Sequence, residues 1–230
     1  MPVQDWMSKD LVTIDTDTSI MKASKVMKQN DIQHLPVLSK GRLVGIVSDR
    51  DLKEATPSKA TSLDIHELYY LLDTVPVKSL MPKHLYTIAP GDTVEKAAAV
   101  MLQHHISALP VMDAKGALAG IITKGDIFRA FVSISGIHQG ALAMGFELPD
   151  QPGSIKTVTD VIRAHGGRIA SILTGYEGAP EGSRHVFIRA KAVKNEKTLR
   201  QESTGAKVRV AGSGIAASAR RRRFHPCVSG

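Results

Sequence analysis

Hydrophobic positions along the first half of the chain switch between helical and strand-like spacing, and they do so twice in the same order. Ile20, Ala23, Ser24 and Met27 share one face of a helix with Val26 at its edge, while Lys22, Lys25 and Gln29 fall on the solvated side. Asn30-Asp31 ends that helix. Residues 34–38 (His-Leu-Pro-Val-Leu) predict a short strand entered through a proline, which suits an edge or first-residue position. After a turn at Gly41, residues 43–47 are continuously apolar, as a buried strand is, and a helix opens at Ser48. Residues 97–102 and 118–122 repeat the helix and the buried strand, so each copy reads strand, helix, strand, strand, helix.

The duplication holds residue by residue. Thr13 matches Thr87 and Pro36 matches Pro110, both 74 residues apart. One extra residue near Asp113 to Gly116 moves the later offset to 75, where Gly45 matches Gly120, Ser48 matches Thr123 and Asp51 matches Asp126. Twin units of this size pack face to face, and the groove between twins is a natural ligand site.

Between the copies, Pro57 breaks the chain and Asp64 with Glu67 forms a capping-box pattern ahead of a short apolar helix bearing Ile65, Leu68, Tyr69, Leu71 and Leu72. Its apolar face is expected to cover the paired repeats rather than bind a partner. A third unit follows Phe131. Residues 140–148 read as a strand, Asp150 to Ser154 as a turn into a helix over 155–164, and Gly166-Gly167 as its end. Residues 168–174 and 185–192 read as two further strands, 194–202 as a short helix, and 207–211 as a brief strand; the remainder reads as disordered. The expected organisation is a first repeat over 1–56, a linker over 57–76, a second repeat over 77–133, a third unit over 138–203 and a basic tail over 204–230.

With 43% hydrophobic and 23% charged residues the chain can bury a core. The net charge of +8 changes the picture less than its size suggests. From Lys194 onward there are nine Lys or Arg against two Glu, which leaves the preceding 193 residues at +1. Nucleic-acid binding is therefore not expected of the folded body and would rest on the tail, above all Arg220 to Arg223. The single Cys227 excludes an intramolecular disulfide. With no bilayer-length apolar run and no secretory leader pattern at the N-terminus, a cytoplasmic location without a membrane span is expected.

The two copies resemble CBS (cystathionine-beta-synthase) domains, on the Leu-Pro-Val segments at 35–37 and 109–111. The patterns Gly-Ile-Val-Ser-Asp-Arg-Asp at 45–51 and Gly-Ile-Ile-Thr-Lys-Gly-Asp at 120–126 carry the same likeness. The third unit resembles an ACT domain, on Asp150-Gln151-Pro152-Gly153-Ser154, the helix after it and Gly166-Gly167. The order of the units looks like that of acetoin-utilization-type CBS–ACT proteins. The resemblance implies an α/β (α+β) chain: two βαββα units in a pseudo-two-fold pair, plus a ferredoxin-like ACT-type domain.

It also implies a non-enzymatic regulatory sensor for adenosine-containing molecules, namely AMP, ADP, ATP or S-adenosylmethionine, with no catalytic cofactor. Asp51 and Asp126 match the family's ribose-binding aspartate, and a carboxylate is a good acceptor for a diol. Ser48 and Thr123 stand at helix starts, where hydroxyl and free N–H groups suit a phosphate. Thr13, Ile14, Thr87 and Ile88 match the strand that lines the base, the segments ending at Pro36 and Pro110 supply apolar walls, and Arg50 reaches a phosphate. Gly125 replaces Arg50 in the second copy while Lys124 replaces Asp49, so the two sites should differ in affinity. For the third unit the resemblance implies a homodimer and an amino-acid ligand at Asp150, Pro152, Gly153 and Ser154.

Plainer readings stand beside these. Ser48-x-x-Asp51 and Thr123-x-x-Asp126 are capping-box pairs in their own right. The Pro-Gly turn at 152–153 is a common structural turn, and the repeats could serve only as a dimerisation scaffold. No histidine pair has metal-ligand spacing, and no nucleophile elbow, P-loop or Cys/His pair is present, so neither a metal nor a catalytic residue is expected. The methionines Met7, Met21, Met27, Met81, Met101 and Met112 read as flexible core fillers. The run after Glu202 departs from the ACT pattern, either through a change of reading frame near Gln201 or as a genuine basic arm.

Overall fold

The computed structural model describes residues 1–55, 72–139 and 142–193, and the backbone of 207–209. The helix expected over 65–72 therefore falls almost wholly outside the described residues, as do the helix over 194–202 and the basic tail. The chain divides into two units, Met1–Ala130 and Phe131–Gly230.

In the first unit the first repeat builds β1 (Ile14–Asp15), α1 (Ile20–Asn30), β2 (His34–Ser39), β3 (Arg42–Ser48) and α2 (Asp49–Glu54). Helix α1 starts where the Ser19 side chain accepts from the Lys22 N–H, and it stops where Asp31 turns left-handed at φ 52°. Its buried face is Ile20, Ala23 and Met27. Strand β2 lies between β1 and β3, so it is central rather than an edge. Pro36 is tolerated because the parallel pairing with β1 begins only at Ile14–Val37, one residue later.

The second repeat builds α3 (Val94–Gln103), β4 (Ala108–Met112), β5 (Leu118–Thr123) and α4 (Lys124–Ser135). Its first strand shrinks to a single bridge, Ile88 with Val111. The cause is local. In the first repeat the Thr16 N–H donates to the Leu38 carbonyl, whereas the equivalent position here is Pro90, which has no N–H to give.

Each repeat has its own core, and the two match position for position. Ile14, Ala23, Met27, Leu35 and Val37 in one correspond to Ile88, Ala97, Met101, Leu109 and Val111 in the other. One member of each core comes from across the pair. Val3 packs wholly buried in the second repeat's core, and Val77 wholly buried in the first repeat's. The segments that carry them are exchanged arms. The Val3 N–H donates to Asp92 O (2.8 Å), Val94 to Met1 O (2.8 Å), and Ser8 and Ile121 exchange bonds of 2.9 and 3.0 Å. Reciprocally, Ile20 donates to Val75 O (3.0 Å) and Val77 to Thr18 O (2.9 Å).

Glycine lets the arms lie close. A Cβ on Gly45 would stand 2.3 Å from Met81 Sδ, and one on Gly120 would stand 2.6 Å from Met7 Sδ and 2.9 Å from the Ser8 carbonyl oxygen.

The second unit contains β6 (Leu142–Pro149), α5 (Ser154–Ala164), β7 (Arg168–Gly175), β8 (Ser183–Lys191) and β9 (Lys207–Arg209). The sheet order is β7-β8-β6-β9 with every pair antiparallel, the strand order of a ferredoxin-like sheet. Strand β6 alternates strictly, burying Leu142, Met144, Phe146 and Leu148 under Val158 and Ile162 of α5. Gly166 ends the helix by turning left-handed at φ 76°, and Gly167 follows because its N–H donates to the Ile162 carbonyl, where a Cβ would stand 2.7 Å from that oxygen. Among the described residues no helix is long and apolar enough to cross a membrane.

Candidate functional site

Strand β3 delivers its last residue, Ser48, to the start of α2, and β5 delivers Thr123 to the start of α4. At both places the helix begins with a reciprocal cap. The Asp51 Oδ2 accepts from the Ser48 N–H (2.7 Å) and Oγ–H (2.7 Å), and the Asp126 Oδ2 accepts from the Thr123 N–H (2.7 Å) and Oγ1–H (2.8 Å). The capping-box reading is therefore correct, and it consumes one oxygen of each carboxylate.

Both caps open into clefts between the repeats. The first, about 700 Å³, joins Ser48, Arg50 and Asp51 to Lys83, His84 and Tyr86 of the second repeat. The second, about 490 Å³, joins Thr123, Lys124 and Asp126 to Asp10, Leu11 and Val12 of the first repeat. Each cleft thus takes its aspartate from one repeat and its opposite wall from the other. Both volumes suit a small organic ligand.

Among the described residues the first cleft has three cations, Arg50, Lys83 and Lys124, three carboxylates, Asp49, Asp51 and Glu54, and four imidazoles, His34, His84, His104 and His105. Tyr86 and His104 stack with ring centroids 3.8 Å apart, forming a flat aromatic wall. Among the described residues the second cleft has Lys124 as its one Lys or Arg and three carboxylates, Asp10, Asp31 and Asp126. Arg50 in the first cleft is tethered to Glu54 at 2.7 Å, while Asp126 in the second is tethered to Arg129. Among the described residues no cluster of His, Cys, Asp and Glu could hold a metal ion.

A wall shared by both clefts contains His34, whose Nε2 lies 2.7 Å from Ser107 Oγ. Burial holds His34 below the usual histidine range, with the nearby Asp51 charge opposing that shift. The unfolded chain takes up a proton at this side chain below about pH 6.5, before the folded chain does, so folding stability falls as pH drops through that region. The contribution is present in full above the unfolded value and lost toward the folded one. Thermal melts should show His34→Gln flattening the slope just below about pH 6.5; an unchanged slope would remove His34 from the account.

Of the residues singled out in the sequence, Ser48, Arg50, Asp51 and Lys124 line the first cleft, and Pro36, Thr123, Lys124 and Asp126 line the second. Thr13, Ile14, Thr87, Ile88 and Pro110 do not line either one. Ile14 and Ile88 are buried in the two cores, and the Pro110 carbonyl accepts from the Ile88 N–H at 3.1 Å. The walls come instead from Leu11 and Val12, just before the first strand, and from Tyr86 at the matching place. Sequence reasoning also passed over Gln33, His34, Lys83, His84, His104 and Ser107. The available signal was the 74-residue equivalence, which aligns Gln33 with Ser107 at the start of each proline strand.

In the second unit Asp150, Pro152, Gly153 and Ser154 form the turn into α5, with Gly153 at φ 89°. Arg184 ties the two ends of this turn, 3.5 Å from Asp150 Oδ1 and 3.1 Å from Ser154 Oγ.

The fold is a tandem pair of duplicated units with a cleft at each capped aspartate, and comparison with known families identifies it. The CBS domain family's model matches residues 3–58 and 77–133, and a CBS domain-containing protein of Dictyostelium discoideum is 35% identical over 133 residues, covering 57% of this chain and 92% of that one. The chain belongs to the CBS domain family. Among solved structures it is similar to the CBS domain pair of protein MJ0100 in complex with 5′-methylthioadenosine and S-adenosyl-L-methionine (28% identity, 58% of this chain, 97% of that one, TM-score 0.48). It is also similar to CBSX2 in complex with AMP (32% identity, 58% of this chain, 97% of that one, TM-score 0.47). The chain also matches the homoserine O-acetyltransferase of Methanohalobium evestigatum, of which it spans 23%.

Proposed function

We propose that this chain is a non-enzymatic regulatory sensor that binds an adenosine-containing nucleotide between its two repeats. One observation carries the reading: each capped aspartate opens into a cleft completed by the opposite repeat. A ligand there touches both repeats at once. It therefore favours one relative arrangement of them by its differential affinity.

The first cleft has a partner for each part of such a ligand. Asp51 Oδ1 faces no intramolecular donor among the described residues and receives the ribose diol. Arg50, Lys83 and Lys124 meet the phosphates, and the Tyr86–His104 stack with Ile46 and Ile106 forms the flat apolar surface for the base. AMP, ADP, ATP and S-adenosylmethionine all carry the diol and the base. With three cations beside three carboxylates, against Lys124 alone in the second cleft among the described residues, this cleft offers a phosphate more partners than the second does.

The second unit extends the proposal as an ACT-type domain that adds dimerisation or an amino-acid ligand. Its strand order and the Gly153 turn support this. The Arg184 ties to Asp150 and Ser154 also give that turn a structural role. Exposed Phe128 (68%) and Phe131 (54%) on α4 support self-association. A cytoplasmic setting and the kinship with acetoin-utilization-type proteins belong to the same reading.

Calorimetric titration with AMP, ADP, ATP and S-adenosylmethionine tests it, beside Asp51→Asn, which keeps an oxygen for the Ser48 cap. Saturable binding weakened about 10- to 100-fold in the variant is expected, the weight of a charge-assisted hydrogen bond. No heat with any of the four would leave the clefts without a nucleotide role.

A further inference from the structure

The two clefts are built by the same duplicated segment, yet their aspartates are not in the same state. Asp126 has both oxygens engaged: Oδ2 by the Thr123 cap and Oδ1 by the Arg129 guanidinium. Its side chain is only 10% exposed. Asp51 has Oδ2 engaged by the Ser48 cap in the same way, and its Oδ1 accepts from no donor among the described residues.

The difference traces to one exchange of charge along the helix. The position three residues after the aspartate is Arg129 in the second repeat and Glu54 in the first, 75 residues apart. Glu54 cannot bond to Asp51 and instead holds Arg50 at 2.7 Å. Position 50, in turn, is matched by Gly125 in the second repeat. The arginine has in effect moved from beside the first aspartate to one turn after the second. There it also donates from Nη2 to the Trp6 carbonyl at 3.2 Å, which fixes it to the exchanged N-terminal arm.

Resting on the nucleotide reading above, we infer that Arg129 makes the clefts unequal by occupying the carboxylate oxygen that a ribose diol would need. Nucleotide fills the Asp51 cleft first. Occupation of the Asp126 cleft requires Arg129 to leave Asp126 Oδ1 and the Trp6 carbonyl. The identity of the residue after the capped aspartate's first turn, acid or arginine, thereby sets the order of filling.

Titration of the full chain with ADP tests this with two reciprocal variants, each checked by thermal melt for folding. The wild type is expected to show a strong step weakened by Asp51→Asn and a weaker step weakened by Asp126→Asn. Arg129→Ala should strengthen the weaker step by up to about fivefold, the weight of one exposed ion pair, and leave the stronger step in place. Glu54→Arg, which installs the second repeat's arrangement in the first, should weaken the strong step by a similar factor. Two equal steps in the wild type, or a strong step weakened by Asp126→Asn, would overturn the inference while leaving the sensor standing. So would an Arg129→Ala titration that superimposes on the wild type. Absence of any binding in all the proteins would remove the sensor reading, and this inference with it.

Discussion

Replacing Val3 with aspartate is expected to unfold the first unit, although Val3 lies outside the body of the repeat it stabilises. Its side chain is fully buried among Ile88, Val94, Ala97 and Leu109 of the second repeat. Loss of the buried valine alone costs about 1.5–3 kcal/mol. A carboxylate at that place enters an apolar cluster, and burying an unpaired charge adds several kcal/mol more. The total approaches the whole stability of a domain, about 5–15 kcal/mol. Denaturant unfolding followed by circular dichroism measures it, with Val3→Ala as the calibration at roughly the valine transfer cost. Val77→Asp, the mirror-image change in the first repeat's core, should match it within the scatter of such measurements. A Val3→Asp protein that unfolds like the wild type would mean that the arm is not docked in solution.

The second large effect concerns two glycines that look interchangeable in the sequence. Gly120→Ala should cost more than Gly45→Ala, despite the identical change in volume. At Gly45 the three nearest atoms to the new methyl all belong to the Met81 side chain, whose three rotatable bonds let it move aside. At Gly120 it also meets the Ser8 carbonyl oxygen at 2.9 Å. That carbonyl cannot give way cheaply, because Ser8 and Ile121 hold each other through two backbone bonds. Overpacking costs about 1–3 kcal/mol. Gly120→Ala is expected at the upper end with a weakened arm, and Gly45→Ala at or below the lower. Paired melting curves decide it, and equal losses would show that the arm yields as readily as a methionine.

Much of this architecture is readable in the linear pattern. The buried faces of α1 and α3 follow from helical spacing, and the two cores correspond at a constant offset because duplicated strands and helices bury the same positions. The capped aspartates were equally visible, since a cap depends on residues three apart. What escaped the sequence is what depends on the partner repeat. Nothing local indicates that Asp51 faces Tyr86 or that Asp126 faces Leu11, because those neighbours are made by docking and not by chain proximity. The near-loss of the second repeat's first strand was legible in principle, through Pro90, but only once the pairing of Thr16 was known. In the sequence Arg129 is simply a cation three residues from an acid. Its meaning came from the acid's burial.

The exchanged arms also separate two boundaries that usually coincide. Cutting the chain between the repeats, at the joint the duplication suggests, would give two fragments each carrying the other's missing core residue. The first would keep Val3, which it cannot use, and lack Val77; the second would have the reverse. The segment that was copied is therefore not the segment that folds. Each copy became dependent on its twin when the arms crossed, and separated halves are expected to regain structure only when mixed.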